Sequence, residues 1–205
     1  MADREPAGRK KAEISEATRT ALLEMAQEMF AEYGYAGTAT EEVVRRAGVT
    51  RGALYYHFKN KEGLFRAVVE EVERATAERI ALAALAETGP WNQLVAGCMA
   101  FLDLSADPAV QRISLLDAPS VLGWETYREV DLRYGFGLLK GGLMGAMDAG
   151  AIVARPPDAV AHMVLGALLE GAMFIARAAD TEAARARAGE AILLLLGGLR
   201  SPESP

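Results

Sequence analysis

Residues 40–58 read T-E-E-V-V-R-R-A-G-V-T-R-G-A-L-Y-Y-H-F. Two threonines each stand before a run of helix formers, and Gly48 ends the first run. Gly48-Val49-Thr50 leaves room only for a tight turn. A threonine hydroxyl at a helix start accepts from a free backbone N–H, and negative charge in the first turn, here Glu41 and Glu42, suits the helix dipole. The stretch predicts two short helices in a helix-turn-helix arrangement, with Thr40 capping the first and Thr50 the second.

The rest of the chain is read around that unit. No segment alternates apolar and polar residues over several positions, and Ala, Leu, Glu and Arg dominate, so the expectation is all-α. A first helix over about 15–33 carries the stripe Leu22, Ala26, Met29, Phe30 and Tyr33, with Gly34 as its stop. The helix-turn-helix follows, and a long helix over 61–86 leaves it, broken by Glu87-Thr88-Gly89-Pro90. Further helices are expected over about 91–105, from Pro108 to near Ala118-Pro119, over 120–149, over 159–179 and from Thr181 to near Leu199. That makes about nine in all. The expected division is a helix-turn-helix domain over 12–65 and a larger helical domain over 66–200. The basic arm Arg4, Arg9, Lys10 and Lys11 and the tail S-P-E-S-P are expected to lack structure.

The formal charge is −6, but it is unevenly placed. Residues 1–66 carry a net +1 and the remainder −7. An acidic total therefore leaves room for a nucleic-acid surface in the first third. The N-terminus has no apolar core of a signal peptide, and no uninterrupted apolar stretch approaches the ~18 residues of a membrane span. One cysteine, Cys98, excludes an internal disulfide framework; it is expected to be a small buried hydrophobe in a cytoplasmic protein with no membrane partner.

On the second short helix Leu54 and Phe58, at i and i+4, are expected to face inward. The opposite side then presents Arg51, Gly52, Tyr55 and Tyr56. Tyrosine hydroxyls reach phosphates, and Arg at the start of such a helix reaches base edges in a major groove. Gly52 lets the backbone approach a phosphate closely. His57, Lys59 and Lys61 flank the helix end. Tyr55 could instead be partly core, and His57 could simply satisfy the helix C-terminus.

The combination A-x-x-M-F-A-E-Y-G-Y-x-G-T-A-T followed by E-E-V-V-R-R-A-G-V-T-R-G-A-L-Y-Y-H-F-K-N-K-E-G-L-F resembles the tetracycline-repressor (TetR) family of bacterial regulators over about residues 19–69. The resemblance implies a phosphate contact from Thr40, a groove-facing helix start at Arg51, Gly52 and Ala53, backbone and base contacts from Tyr55, Tyr56 and His57, and a phosphate grip by Lys61. Ala53 is a departure, since some members carry a hydroxyl there. The resemblance also implies a small-molecule effector in the second domain and a homodimer through the last two long helices.

Read on their own residues, those two helices carry Leu165, Leu169 and Met173 and then Leu193 and Leu196 in a segment apolar nearly all round, which suits a partner surface. Candidate pocket residues are Phe101, Trp124, Tyr127, Met144, Met147, Met163 and Phe174, with Asp103, Asp117, His162 and Glu170 as possible orienting groups. The glycines over 135–150 suggest either close helix packing or a deformable segment. The block's acidity mildly favours a neutral or cationic effector. Two separated histidines, no Cys/His set and no nucleophile motif argue against an enzyme, a metal or a cofactor. The function expected is a homodimeric, ligand-released repressor of a palindromic operator on double-stranded DNA. An activator or a helical protein-binding module with the same fold are the alternatives.

Overall fold

The computed structural model describes residues 7–201, with side chains from residue 14 onward. Arg4 and most of the S-P-E-S-P tail lie outside the described residues. The described chain runs α1 (Ala7–Gly37), α2 (Thr40–Arg46), α3 (Arg51–Phe58), α4 (Lys61–Leu85), α5 (Pro90–Leu104), α6 (Pro108–Val110), α7 (Ala118–Asp131), α8 (Gly137–Asp148), α9 (Pro157–Ala176) and α10 (Thr181–Gly197). Two wider, π-helical segments, Gln111–Asp117 and Leu132–Phe136, join α6 to α7 and α7 to α8. An antiparallel bridge, Ile152 to Arg200, ties the chain after α8 to the chain after α10.

The all-α expectation holds, with corrections at several joints. α1 begins at Ala7, so the backbone of Arg9–Lys11 is helical rather than an unstructured arm. Its regular winding stops at Gly34 (φ 70°, ψ 175°), a conformation essentially reserved for glycine. The Thr38 hydroxyl, buried, donates to the freed Gly34 carbonyl at 2.8 Å. Tyr33, expected in the buried stripe, is exposed instead. The expected break at Ala118-Pro119 does not occur. Proline in the first turn of α7 removes no needed N–H, and the break falls at Gly123 (φ 76°, ψ 157°).

Two cores form. Leu22, Ala26, Met29 and Phe30 of α1 close on Val43, Leu54 and Phe58 of the helix-turn-helix and on Leu64, Phe65 and Val68 of α4. Phe65 stands edge-on to Phe30 (4.9 Å) and Tyr35 (5.0 Å). Each large side chain fully buried there contributes roughly 1.5–3 kcal/mol. Ile113, Ala118, Tyr127 and Val130 join the same cluster, so the core of the first block continues into the second. The other core gathers α5, α8, α9 and α10 around Leu102, Leu143, Leu168, Ile175 and Leu196. α9 is long and apolar enough to cross a membrane by length and composition; Ala161, Val164, Leu168 and Ile175 pack into this core.

Candidate nucleic-acid interface and apolar cavity

Thr50 caps α3, its hydroxyl accepting from the Ala53 N–H at 3.2 Å. The tight turn before it has Gly48 at φ +67°. Leu54 and Phe58 are buried, which fixes the rotation of α3 and turns the opposite face outward. Tyr56 on that face is 78% exposed and Tyr55 is exposed. Arg51 lies over the Tyr55 ring at 5.4 Å, its guanidinium 3.3 Å from the Tyr55 hydroxyl and 3.7 Å from Glu41. Gly52 is open, since an added Cβ would meet only the Thr50 hydroxyl, at 3.9 Å. Ala53 stands beside it on the first turn. His57 is half-buried between Tyr56 and Phe58.

One expected role changes, the cap of α2. Thr40 is the first residue of α2, not its cap; Ala39 holds that position with no side-chain bond, and the Thr40 hydroxyl donates to Glu41 at 3.2 Å. Lys61 is half-buried with its ammonium 4.4 Å from the Tyr35 ring centre, and burial lowers its pKa. Beside this face Glu42 accepts from Arg45 (2.7 Å) and Arg46 (2.7 Å), which hold its carboxyl down to about 2. The two arginines thus form a solvated ion-paired face.

The base of this block is tied to the second one. The Tyr35 N–H donates to Asp117 Oδ2 at 2.7 Å, and Arg112 Nε donates to the same oxygen at 3.3 Å. Asp117, expected near a ligand, is instead an anchor between the π-helical segment and the end of α1. A Cβ at Gly34 would stand 2.0 Å from the Arg112 guanidinium. Arg112 can swing away, so the backbone conformation sets the cost. Gly34→Ala is expected to lower unfolding free energy by about 2 kcal/mol, read from urea denaturation.

A cavity of about 370 Å³ opens between α4, α5, α8 and α9. Its walls include Ile80, Leu94, Phe101, Leu165 and Leu168, and exposed Leu85 and Leu138 stand among its lining residues. Gly137 and Gly141 also line it, and an added Cβ at either meets nothing within 4 Å. Close packing therefore does not explain these glycines; they leave the wall of the cavity low. Of the residues expected in a pocket, Phe101 lines this cavity. Trp124 is 64% exposed, and Met144 and Phe174 are exposed. Tyr127 is buried in the first core and Met147 packs on the second. Met163 is 73% exposed on the outer face of α9. Asp103 pairs with Arg185 at 2.5 Å, and Glu170 is exposed. His162 stacks on Phe136 at 4.5 Å, its Nδ1 accepting from Arg128 at 2.9 Å, because guanidinium can only donate.

The polar groups of the cavity were not anticipated. Glu73 and Asp131 both line it. Arg128 Nη1 donates to Asp131 at 2.6 Å, yet burial still raises the Asp131 pKa. Desolvation of the half-buried Glu73, with Asp131 nearby, pushes it up to about 7, against the lowering effect of the adjacent Ser114 hydroxyl. The signal for Glu73 was its phase: it falls among Val69, Val72, Thr76 and Ile80 on one face of α4, a carboxyl inside an apolar stripe. Cys98 also lines the cavity, and burial drives its thiol up to about 12, as for an inert core cysteine.

The Glu73 shift predicts a pH effect on stability. Its folded pKa of about 7 lies above the ordinary 4.5, so between those values the folded state keeps a proton that the unfolded chain has lost. Stability therefore falls as pH rises through that window. Glu73→Gln removes the effect and is expected to be more stable than the parent at about pH 8, by on the order of 2 kcal/mol, with the difference shrinking toward pH 4.5. Thermal denaturation of both proteins across this range measures it.

On the outer side of α9 and α10, Met163, Phe174, Leu193, Leu194 and Leu195 are exposed, with Leu194 at 78%. Met163 and Leu195 among them line a groove of about 360 Å³ together with Val160, Ala167, Leu196 and Leu199. Among the expected interface residues Leu193 belongs to this face, while Leu169 and Met173 are half-buried. Leu165 is turned inward and lines the cavity, so it is not on the outer surface. Leu196 is fully buried under the groove.

Both blocks of the chain match known families. Residues 22–68 match the family described as bacterial regulatory proteins, tetR family, and residues 91–199 match the tetracyclin repressor-like C-terminal domain. The HTH-type transcriptional regulator AcrR of Shigella flexneri is 39% identical over 70 residues, 34% of this chain and 33% of that protein. The HTH-type transcriptional repressor AcnR of Corynebacterium diphtheriae is 39% identical over 69 residues, 34% of this chain and 36% of that one. The chain thus spans about a third of the length of these curated relatives. A solved TetR-family transcriptional regulator from Pectobacterium atrosepticum is 34% identical, with a TM-score of 0.80 over 91% of this chain and 95% of that one. With both family matches in place and a solved relative aligned along nearly its whole length, the chain belongs to the TetR family of transcriptional regulators.

Proposed function

We propose that the protein is a cytoplasmic homodimeric repressor that reads a palindromic site on double-stranded DNA and is released when a small-molecule effector enters the cavity. The observation that carries this reading is the α3 face: Leu54 and Phe58 are spent on the core, while Arg51, Tyr55 and Tyr56 are exposed to solvent on the opposite side. Residues 12–65 form the reading unit and 66–200 the effector and dimer unit. Thr40, Thr50, Tyr55, His57 and Lys61 position the unit on phosphates, with Lys61 leaving the Tyr35 ring to do so. Arg51 and Tyr56, beside Gly52 and Ala53, reach base edges. A two-fold partner covers the outer faces of α9 and α10, placing two α3 helices on one side of the duplex. Repression is the mode named for a relative such as AcnR.

The route from cavity to DNA runs through two elements. Glu73 stands on α4, whose first turns carry the reading block. Ser114 beside it shares its π-helical segment with Asp117, the anchor of Tyr35. An effector that repositions the Glu73 region acts on both, and a coupling of roughly 1–3 kcal/mol suffices for release.

Fluorescence anisotropy with labelled duplexes from the DNA flanking the gene tests this reading. Saturable binding that prefers the native duplex over a scrambled one, and weakens with salt, is expected. Equal affinity for native, scrambled and selected random-sequence duplexes sinks it.

A further inference from the structure

Resting on the reading of the cavity as the effector site, we infer that the effector is a hydrophobic amine carrying one positive charge, its ammonium seated against Glu73 and its apolar body in the cavity. Three observations lead there. The walls are apolar, and among the residues lining the cavity there is no Lys, Arg or His. An organic anion would enter a space whose formal charges are two carboxylates, which is the wrong sign for it.

The second observation is the difference between those carboxylates. Asp131 is paired with Arg128, which also donates to His162. Among the described residues Glu73 has no basic partner; the groups facing it are Asp131, Tyr127 and Ser114. A carboxyl held inside an apolar wall without a counter-charge is costly for folding and is a site that a mobile cation completes. Among the described residues the neighbouring elements supply none: Lys140 of α8 is committed to Asp158 at 2.6 Å, Arg133 of the second π-helical segment stands 3.9 Å from Glu70, and α5 presents only the Cys98 thiol and the neutral Gln93.

The third is Ser114. Its hydroxyl is buried beside Glu73, in a residue 1% exposed, and has no hydrogen-bond partner among the described residues. Buried hydroxyls normally have partners. A bound ammonium fixes Glu73 in its ionised, acceptor-only form, which the Ser114 hydroxyl can then complete. Thr76, on the same face of α4, offers a further acceptor to an ammonium N–H. The volume suits one drug-sized molecule.

The test is isothermal titration of the full-length protein with octylamine, octan-1-ol and octanoate at about pH 8, where Glu73 is ionised and the amine is still protonated. Octylamine is expected to bind saturably and at least about tenfold more tightly than the alcohol, with octanoate weakest. Glu73→Gln is expected to bring the amine to within roughly threefold of the alcohol while leaving the alcohol unchanged. If the alcohol or octanoate binds as tightly as the amine to the parent protein, the cavity stands and the cationic class is wrong. If none of the three saturates, the effector-site reading itself fails. The ranking on the parent protein decides even if Glu73→Gln does not fold.

Discussion

Replacing Arg51 and Tyr56 together by alanine is expected to abolish specific DNA binding while leaving the protein folded and dimeric. A well-placed side chain reading a base edge is worth about 1–3 kcal/mol, and a dimer loses each contact twice. The expected loss is therefore at least roughly three orders of magnitude in affinity. Stability should barely move. Both side chains stand in solvent, the Arg51–Glu41 pair is exposed at 3.7 Å, and such pairs contribute little. A melting temperature within a few degrees of the parent, with specific binding gone, is the expected result. Undiminished preference for the native duplex would move the reading face elsewhere.

The second large effect is on assembly. Leu194→Glu with Leu195→Glu is expected to yield a monomer at concentrations where the parent is dimeric. Both leucines are exposed in the protomer, so its own core, with Ile192 and Leu196 fully engaged, is kept. In a two-fold interface each substitution appears twice, placing four carboxylates where apolar surfaces should meet. Burying unpaired charge costs several kcal/mol, which raises the dissociation constant by about a thousandfold or more. Sedimentation equilibrium measures this directly. A variant that stays dimeric would mean that the partner covers another surface, such as exposed Leu82 and Leu85 on α4.

How much of this was legible in the residues depended on whether the signal was local. The helix-turn-helix is written in nearest-neighbour chemistry: a capping threonine at 50, a turn glycine at 48 and an i, i+4 apolar pair at 54 and 58. Thr40 misled because it stands one residue inside its helix, while Thr38 is turned back to the Gly34 carbonyl. The cavity was largely illegible. Large, adaptable side chains suggested a pocket, but Met163 and Phe174 lie on the outward phase of α9, opposite Leu165 and Leu168. The space is created by what is missing, at Gly137, Gly141 and a run of alanines on α4, and small residues carry little pattern. Glu73 was hidden in the charge run E-E-V-E-R, and only its helical phase separates it from its solvated neighbours. The tie from Asp117 to Tyr35 spans 82 positions and has no local signature.

Hydroxyl-radical footprinting on the selected DNA site tests the central claim most directly. Two symmetric protected patches on one face of the duplex, with centres about one helical turn (~34 Å) or a multiple of it apart, are the result predicted for two α3 helices in successive major grooves. A single unsymmetrical patch, or protection spread evenly along the duplex, would contradict a two-fold reader of a palindromic site.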